Sequence, residues 1–355
     1  MAQAIETSVA LATYNGEKFL RPLLESLGAQ SILPDEVVIS DDCSTDGTVD
    51  IVREFASRAP FTVLLINNQA RLGYRDNFIK AASSCSSEVI LFCDQDDIWH
   101  PEKIERLRDG FTGAGVLLCY HKAFLIDENG SKVGKFTCAK LRNPWQTPAG
   151  FLTAFRKDLL IHEELRQLSI DFNKPSARYA HDQWVALLAR ELGEVVFIDR
   201  DLAGYRQHAT NIYGAEQARL PLLKRLRKRL KNRSEAFVIL ASVCRSNATV
   251  FSSLAERLNK ADVWKARALK GQQAYKELAE LYDLRAKAYK DIRFLNRLRA
   301  LLRLLQIGTY RDRGRWSFGS RGLVRDVVLG VLLGRVISRL TTSTSFGDAN
   351  CQRIA

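Results

Sequence analysis

Residues 89–104 read VILFCDQDDIWHPEKI. The apolar run Val89 to Cys93 is short enough to be a strand buried on both faces. The chain then sets Asp94, Asp96 and Asp97 close together. Carboxylates so close repel one another unless they share a cation. Oxygen donors suit a hard ion such as Mg2+ or Mn2+, and such ions commonly also bind phosphate. The stretch therefore predicts a divalent-metal site for a diphosphate at the carboxyl end of a buried strand, where open α/β sheets take their ligands.

Upstream, short β-rich runs alternate with helical periods. Ser8 to Thr13, Glu36 to Ser40, Phe61 to Ile66 and Glu88 to Cys93 read as strands. Helices are expected over Glu17 to Leu27, Asp46 to Ser57, Tyr74 to Ser83 and after Pro101. That alternation implies an α/β fold with a mostly parallel, doubly wound sheet. Further strands are expected near Gly115 to Phe124 and Glu194 to Ile198. A loop-rich region, Asp127 to Pro148, and helices near Phe155 to Gln167 and Ala180 to Leu192 lie between them.

The 355 residues leave room for one large domain or two ordinary ones. Hydrophobic residues at 46% with charged residues at 26% describe a folded globular chain and exclude a disordered one. Seven cysteines without a CxxC pair read as inert thiols of a reducing compartment. No charged region followed by an apolar one opens the chain, so no secretory leader is expected. No membrane span is expected either, because no window of about 18 residues is uninterruptedly apolar. Charge is uneven: residues 216–340 hold 29 Lys and Arg against 10 Asp and Glu, which leaves 24 against 30 elsewhere, within a net charge of +13. Three regions follow: residues 1–214 as the α/β domain, 215–340 as a basic helical module, and 341–355 as a frayed tail.

The loops after the first two strands carry further candidates. Strand one runs into Thr13, Tyr14, Asn15 and Gly16, which suit a tight turn beside a ligand. Strand two ends in Asp41 and Asp42, followed by CSTDGT. Asp46 or Thr45 can cap the next helix, which leaves Asp41 and Asp42 as surplus carboxylates for a base or a ribose.

Taken in order, VALATYNGEKFLRPLLESL, EVVISDDCSTDGT, NNQARLGYRDNF and ILFCDQDDIWHPEKI resemble the nucleotide-sugar half of the inverting family 2 glycosyltransferases, of GT-A fold. The resemblance continues through AGFLTAFRKDLL, YAHDQWVALLA and AGYRQHATNIYG, covering about residues 5–214. DQDDIW, HDQW and YRQH are most similar to bacterial rhamnosyltransferases of O-antigen and related polysaccharides. The resemblance implies a dTDP- or UDP-sugar donor, rhamnose first, and a glycan or lipid-linked acceptor. It places Thr13, Tyr14 and Asn15 in the nucleotide pocket, Asp41 on the base, and Arg71 against base or diphosphate. Asp94 and Asp96 match the DxD motif, Asp96 as metal ligand and Asp94 on the ribose or on the metal through water. Asp97 is an extra acid, either a ligand or a cap of the turn before Pro101.

Asp182 matches the catalytic base that takes the proton of the acceptor hydroxyl, and it is equally placed to cap the helix that follows. His208 is read as a third metal ligand, a diphosphate contact or a structural residue, and Arg206 as a phosphate contact. Gly150, Phe151 and Trp184 are expected to border the acceptor, with core packing the alternative for the rings. Cys43 stands where many members have Gly, and the position is read as not requiring positive φ.

The run Lys224 to Lys231, KRLRKRLK, has three readings: a solvated face, a nucleic-acid surface or an anionic-lipid surface. Leucines between the basic residues and the apolar stretch from Val327 to Leu333 favour a membrane surface and not nucleic acid. The expectation is peripheral attachment to the inner face of the cytoplasmic membrane, with homo-oligomer formation left open. Other readings remain: a different nucleotide sugar (glucose, galactose or GlcNAc), a nucleotidyltransferase, or a non-catalytic membrane- or RNA-binding protein. TYNGEK fits poorly the Gly-rich basic loop that a nucleotidyltransferase wants.

Overall fold

The computed structural model describes residues 5–138, 140–141, 143, 145–208, 233–291, 293–311 and 317–332. In chain order the first elements are β1 (Thr7–Thr13), α1 (Glu17–Gly28), β2 (Glu36–Asp41), α2 (Thr48–Ala56), β3 (Thr62–Asn67) and α3 (Tyr74–Ser83). They continue with β4 (Val89–Asp94), β5 (Ile98–Trp99), α4 (Lys103–Asp109), β6 (Val116–Ile126) and β7 (Lys132–Lys135). Next come β8 (Thr153–Arg156), α5 (His181–Leu192) and β9 (Glu194–Arg206). Four helices follow: α6 (Arg233–Arg257), α7 (Val263–Lys290), α8 (Phe294–Ile307) and α9 (Gly319–Arg325).

The described strands form one sheet in the order β3-β2-β1-β4-β8-β6-β9-β5, with β7 beside β6. The β3-β2-β1-β4 half is parallel throughout, as the alternation of strand and helix predicts. β1, β2 and β4 read as continuous apolar runs because both their faces are covered, whereas β3, at the edge, is only partly buried. On one face Val9, Leu11, Val37, Ile39 and Leu91 pack against Leu20, Leu23 and Leu24 of α1, Val52 of α2 and Leu107 of α4. On the other, Phe92 meets Phe78 of α3 and His181 of α5 edge-on. Thr13 pairs with Asp41, and Ala12 with Asp94, so the loops after β1, β2 and β4 leave the sheet side by side.

The second half departs from expectation. The helix predicted over Phe155 to Gln167 is instead β8 followed by two 3-10 turns, Lys157–Leu160 and Glu163–Leu168. All of β8 is buried, antiparallel between β4 and β6, so sheet pairing on both edges overrides the local helical period. β9 runs well past Ile198 to Arg206. There it pairs with β5, Ile98 opposite Gly204 and Trp99 opposite Ala203. That short antiparallel pair brings the YRQH segment to the acidic loop.

The loop after β2 carries a correction: Cys43 does adopt a left-handed conformation, with φ 64°, as does Asn15 with φ 47°. An L-residue there costs about 1–2 kcal/mol, and the Cys43 Sγ contact with the Asn68 carbonyl at 3.2 Å is a weak return.

The chain divides into two compact units. The sheet unit ends with β9. The helical unit contains the helices from α6 onward and also Arg142–Gln146 and Glu164–Tyr179. The Trp145 indole donates to Tyr282 Oη at 2.8 Å, and the Ser246 hydroxyl to the Leu168 carbonyl at 2.7 Å; these bonds claim the two loops. α6 and α7 form an antiparallel pair, since Phe237 meets Tyr289 at one end and Phe251 stacks on Tyr275 at the other. Arg285 lies between the rings of Phe237 and Phe318 and makes two bonds to Asp326. Tyr289 and Tyr310 hydroxyls donate to the same carboxylate, so this buried pair is fully met. α6 is long and apolar enough to cross a membrane by length and composition, yet 61% of its apolar window is buried within the protein. The basic run 224–231 and the tail 341–355 lie outside the described residues.

Replacing Cys43 with glycine relieves the left-handed strain, offset by the larger entropy that glycine loses on folding. Cys43→Gly is expected to stabilise the fold by about 0.5–1 kcal/mol in denaturant titration; a loss of stability would mean that the Sγ contact outweighs the strain.

Candidate functional site

The site is assembled from loops at the carboxyl ends of β1, β2 and β4. Thr13 Oγ1 donates to Asp41 Oδ1 at 2.8 Å, and Ser44 gives both its hydroxyl and its N–H to the same carboxylate. Asn15 Oδ1 accepts from the Thr45 N–H at 2.9 Å, and Asn15 N–H donates to Ser44 Oγ. Asp42 accepts from the Leu72 and Gly73 N–H groups at 2.6 and 2.8 Å and from Asn68 at 3.3 Å. Asn68 also donates to Asn77, which bonds the Ser40 carbonyl. Asp41 and Asp42 are both 2% exposed. The surplus expected at these carboxylates is thus taken up by the chain's own loops. The N-cap of α2 is Gly47, not Asp46 or Thr45; Asp46, one residue earlier, accepts from the N–H and hydroxyl of Thr48.

Two expected pocket residues do meet in the open. The Arg71 guanidinium lies 3.7 Å from the centroid of the Tyr14 ring. Arg71 is exposed and Tyr14 half-buried, which leaves a flat cationic surface beside the loop after β1.

Gln95, assigned no role from the sequence, bonds the loop after β4 to the loop after β1. Its amide accepts from the Tyr14 N–H at 2.8 Å and donates to the Tyr14 carbonyl at 3.1 Å. A Cβ on Gly16 would come within 2.5 Å of Gln95 Oε1, so a side chain there would displace the Gln95 amide from its bonds to Tyr14.

The acidic residues divide as follows. Asp96 Oδ2 accepts from His208 Nε2 at 2.7 Å, and His208 packs on the Phe19 ring. Asp97 is wholly buried, and its Oδ1 accepts the Arg206 N–H at 3.1 Å. It therefore anchors β9; it does not cap the turn before Pro101. Arg206 is corrected too. It is 2% exposed, with Nε on the Asp96 carbonyl and Nη1 on the carbonyls of Asp127 and Glu128. Those bonds spend the guanidinium on holding the acidic loop and not on a phosphate.

α5 begins at His181, so Asp182 lies in its first turn, where a carboxylate is favoured by the helix dipole. Its Oδ1 accepts from the Gln183 N–H at 2.8 Å. His181 is wedged between Phe78, stacked at 3.9 Å, and Phe92 at 4.7 Å, and a Cβ on Gly150 would strike His181 Nε2 at 2.5 Å. Gly150 is thus a packing requirement at the start of α5. Phe151 and Trp184 are 2% and 1% exposed, with Phe151 stacked on Tyr205. Rings so covered offer no face to a sugar; they are core.

Burial first, then the charges of Asp96 and Asp182, push the Asp94 carboxyl up to about 8 against the pull of Lys103. His181, next to Asp182, lies against Phe92 two residues before Asp94, so the start of α5 is packed on the strand that leads to the acidic loop. Among the described residues no three acidic, His or Cys side chains form a ready cage for a metal. Asp96 and His208, with Asp94 beside them, instead fit a cation completed by phosphate oxygens and water, the usual habit of Mg2+. Lys103 also went unread, although a lysine at the first residue of a helix opposes the helix dipole and so signals a specific partner.

Residues 8–163 match the family model described as Glycosyl transferase family 2. The dTDP-rhamnosyl transferase RfbG of Shigella flexneri is 30% identical over 234 residues, which cover 61% of this chain and 78% of that protein. The uncharacterized protein Rv1520 of Mycobacterium tuberculosis is 29% identical over 210 residues, 58% of this chain; the match spans 60% of the length of that relative. Among solved structures, Staphylococcus aureus TarS 1–349 in complex with UDP aligns with 94% of this chain and 90% of its own, at 16% identity and a TM-score of 0.47.

A carboxyl with a raised folded value stabilises the protein below its usual value of about 4, and that contribution is lost as the pH rises toward the folded value. Without divalent cation, thermal stability is expected to fall as pH goes from about 4 to about 7. Asp94→Asn, which cannot ionise, should flatten that fall; parallel curves for the two proteins would clear Asp94 of the effect.

Proposed function

The chain belongs to glycosyl transferase family 2, and on that footing we propose that it transfers a sugar from a nucleotide donor to an acceptor hydroxyl with inversion at the anomeric carbon. One observation carries the reading: His181, beside Asp182 at the start of α5, packs edge-on at 4.7 Å against Phe92 of β4, the strand that ends in Asp94. A base and a diphosphate site within reach of each other are what a single displacement needs.

In this reading the nucleotide lies at the carboxyl ends of β1 and β2. The exposed Tyr14–Arg71 pair and Asn15 border it, with Thr13, Asp41 and Asp42 shaping the loops beneath. Asp96 and His208, with Asp94, hold the divalent ion, Mg2+ or Mn2+. That ion supplies positive charge to the departing nucleoside diphosphate. Asp182 accepts the proton of the acceptor hydroxyl as it attacks. The diphosphate leaves from the opposite face, so the anomeric centre inverts and no second carboxylic acid is needed. The similarity to RfbG supports a dTDP-sugar, rhamnose first, and a saccharide acceptor of polysaccharide synthesis.

The helical unit supports a membrane surface as the place where a lipid-carried acceptor is met. On α8, Leu295, Leu302 and Leu305 are exposed beside Arg299 and Arg303, and the helix carries no acidic residue. Val324 and Leu332 are exposed near Arg321 and Arg325. Each basic residue near an anionic bilayer is worth about 1 kcal/mol.

Asp182→Asn keeps the shape and removes the base. Transfer should fall by about 100-fold or more, while nucleoside diphosphate affinity measured by calorimetry with Mn2+ stays within about threefold; retained turnover removes Asp182 from the proposal. Flotation with anionic vesicles at low salt tests the surface. Binding should be lost on Arg299→Glu with Arg303→Glu, and binding indifferent to that change would place the surface elsewhere.

A further inference from the structure

Lys103 opens α4 and is entirely buried. Its ammonium donates to the Phe151 carbonyl at 2.7 Å and lies 3.5 Å from the centroid of the Trp99 ring. A buried ammonium is costly unless fixed charges and hydrogen bonds meet it. Burial pulls Lys103 down to about 7, and Cys93, Asp97 and Asp94, in that order, oppose the fall. Asp97 Oδ2, on this side of the acidic loop, is buried without a hydrogen bond, and burial, then the charges of Asp96 and Asp94, hold that carboxyl well above the ordinary range.

The carbonyl that Lys103 holds follows Gly150, where an added Cβ would come within 2.5 Å of His181 Nε2. His181 in turn precedes Asp182 at the start of α5. Trp99, under the ammonium, belongs to the β5 pair that brings β9 to the acidic loop.

We propose that Lys103 is a positioning residue. Through its hydrogen bond to the Phe151 carbonyl and its seat on Trp99 it ties that carbonyl, and through Gly150 and His181 the start of α5, to the segment that follows Asp94 and Asp96. It touches neither donor nor acceptor. It sets the separation between the carboxylate that takes the proton and the groups that hold the diphosphate. The part of this that concerns turnover rests on the transferase reading above.

Lys103→Met keeps the aliphatic stem and removes the charge, and Lys103→Arg restores charge with a longer reach. In the full-length protein, Lys103→Met should lower kcat by about 100-fold, the scale of an ångström of misplacement, with nucleoside diphosphate affinity in Mn2+ changed less than threefold. Lys103→Arg should recover a large part of kcat. Hydrogen exchange followed by mass spectrometry supplies a readout that needs no turnover. Amides at 150–152 and 181–185 should exchange faster in Lys103→Met, and those at 13–16 and 41–45 should not. Should Lys103→Met not fold, Gly150→Ala presses the same chain of contacts from its far end and should give the same exchange pattern. Unchanged protection at 181–185 in either variant overturns the proposal, as does an equal loss of kcat and nucleotide affinity. Wild-type protein that transfers no sugar would refute the functional reading alone, and the exchange pattern would still decide Lys103.

Discussion

The buried guanidinium of Arg206 is the fastening on which the sheet unit depends. It gathers the carbonyls of Asp96, Asp127 and Glu128, and the backbone N–H of the same residue goes to Asp97. Charge-assisted bonds of this kind are among the stronger ones a protein makes, and burial raises the cost of breaking any of them. Two loops and the last strand are held in one place as a result. His208, two residues on, meets Asp96 only because this fastening brings the end of β9 across the acidic loop.

The architecture was legible where local pattern and long-range pairing agree. The apolar runs of β1, β2 and β4 announce a sheet covered on both faces, and their order with the intervening helices leaves few topologies. It was illegible at β8, whose four residues are a strand only because β4 and β6 flank them. Side-chain roles followed a similar division. Residue types and their order point to a donor site, but they do not tell which carboxylate faces a ligand and which faces its own backbone. Asp41, Asp42, Asp97 and Arg206 all proved to bond within the chain, because a loop that must approach a ligand closely also has unpaired N–H and carbonyl groups to satisfy. Aromatic residues were the least readable. Phe151 and Trp184 carry the chemistry of sugar stacking and the burial of core residues, and only the fold distinguishes the two.

The helical unit solves a different problem. Its sequence is strongly basic, and among the described residues its interior spends three arginines in buried positions, Arg166 on the Tyr179 carbonyl, Arg285 on Asp326 and Arg297 on the Val331 and Asp291 carbonyls. The sign of the surface charge is thus separate from the polar bonds that organise the interior. The surface can be altered by single substitutions without disturbing the pair that Tyr289 and Tyr310 complete.

The contact between Gly16 and Gln95, which leaves no room for a Cβ, has a bearing on how such a protein can be redesigned. The turn after β1 is bonded through Gln95 to the turn after β4, and through Asn15 to the turn after β2, which Asp42 joins to the segment before α3. On the proposed placement of the donor, its recognition is therefore not modular in this scaffold. Grafting one loop from a transferase of different sugar preference would import side chains without the bonds that seat them, and the natural unit of transplantation is the whole set of four.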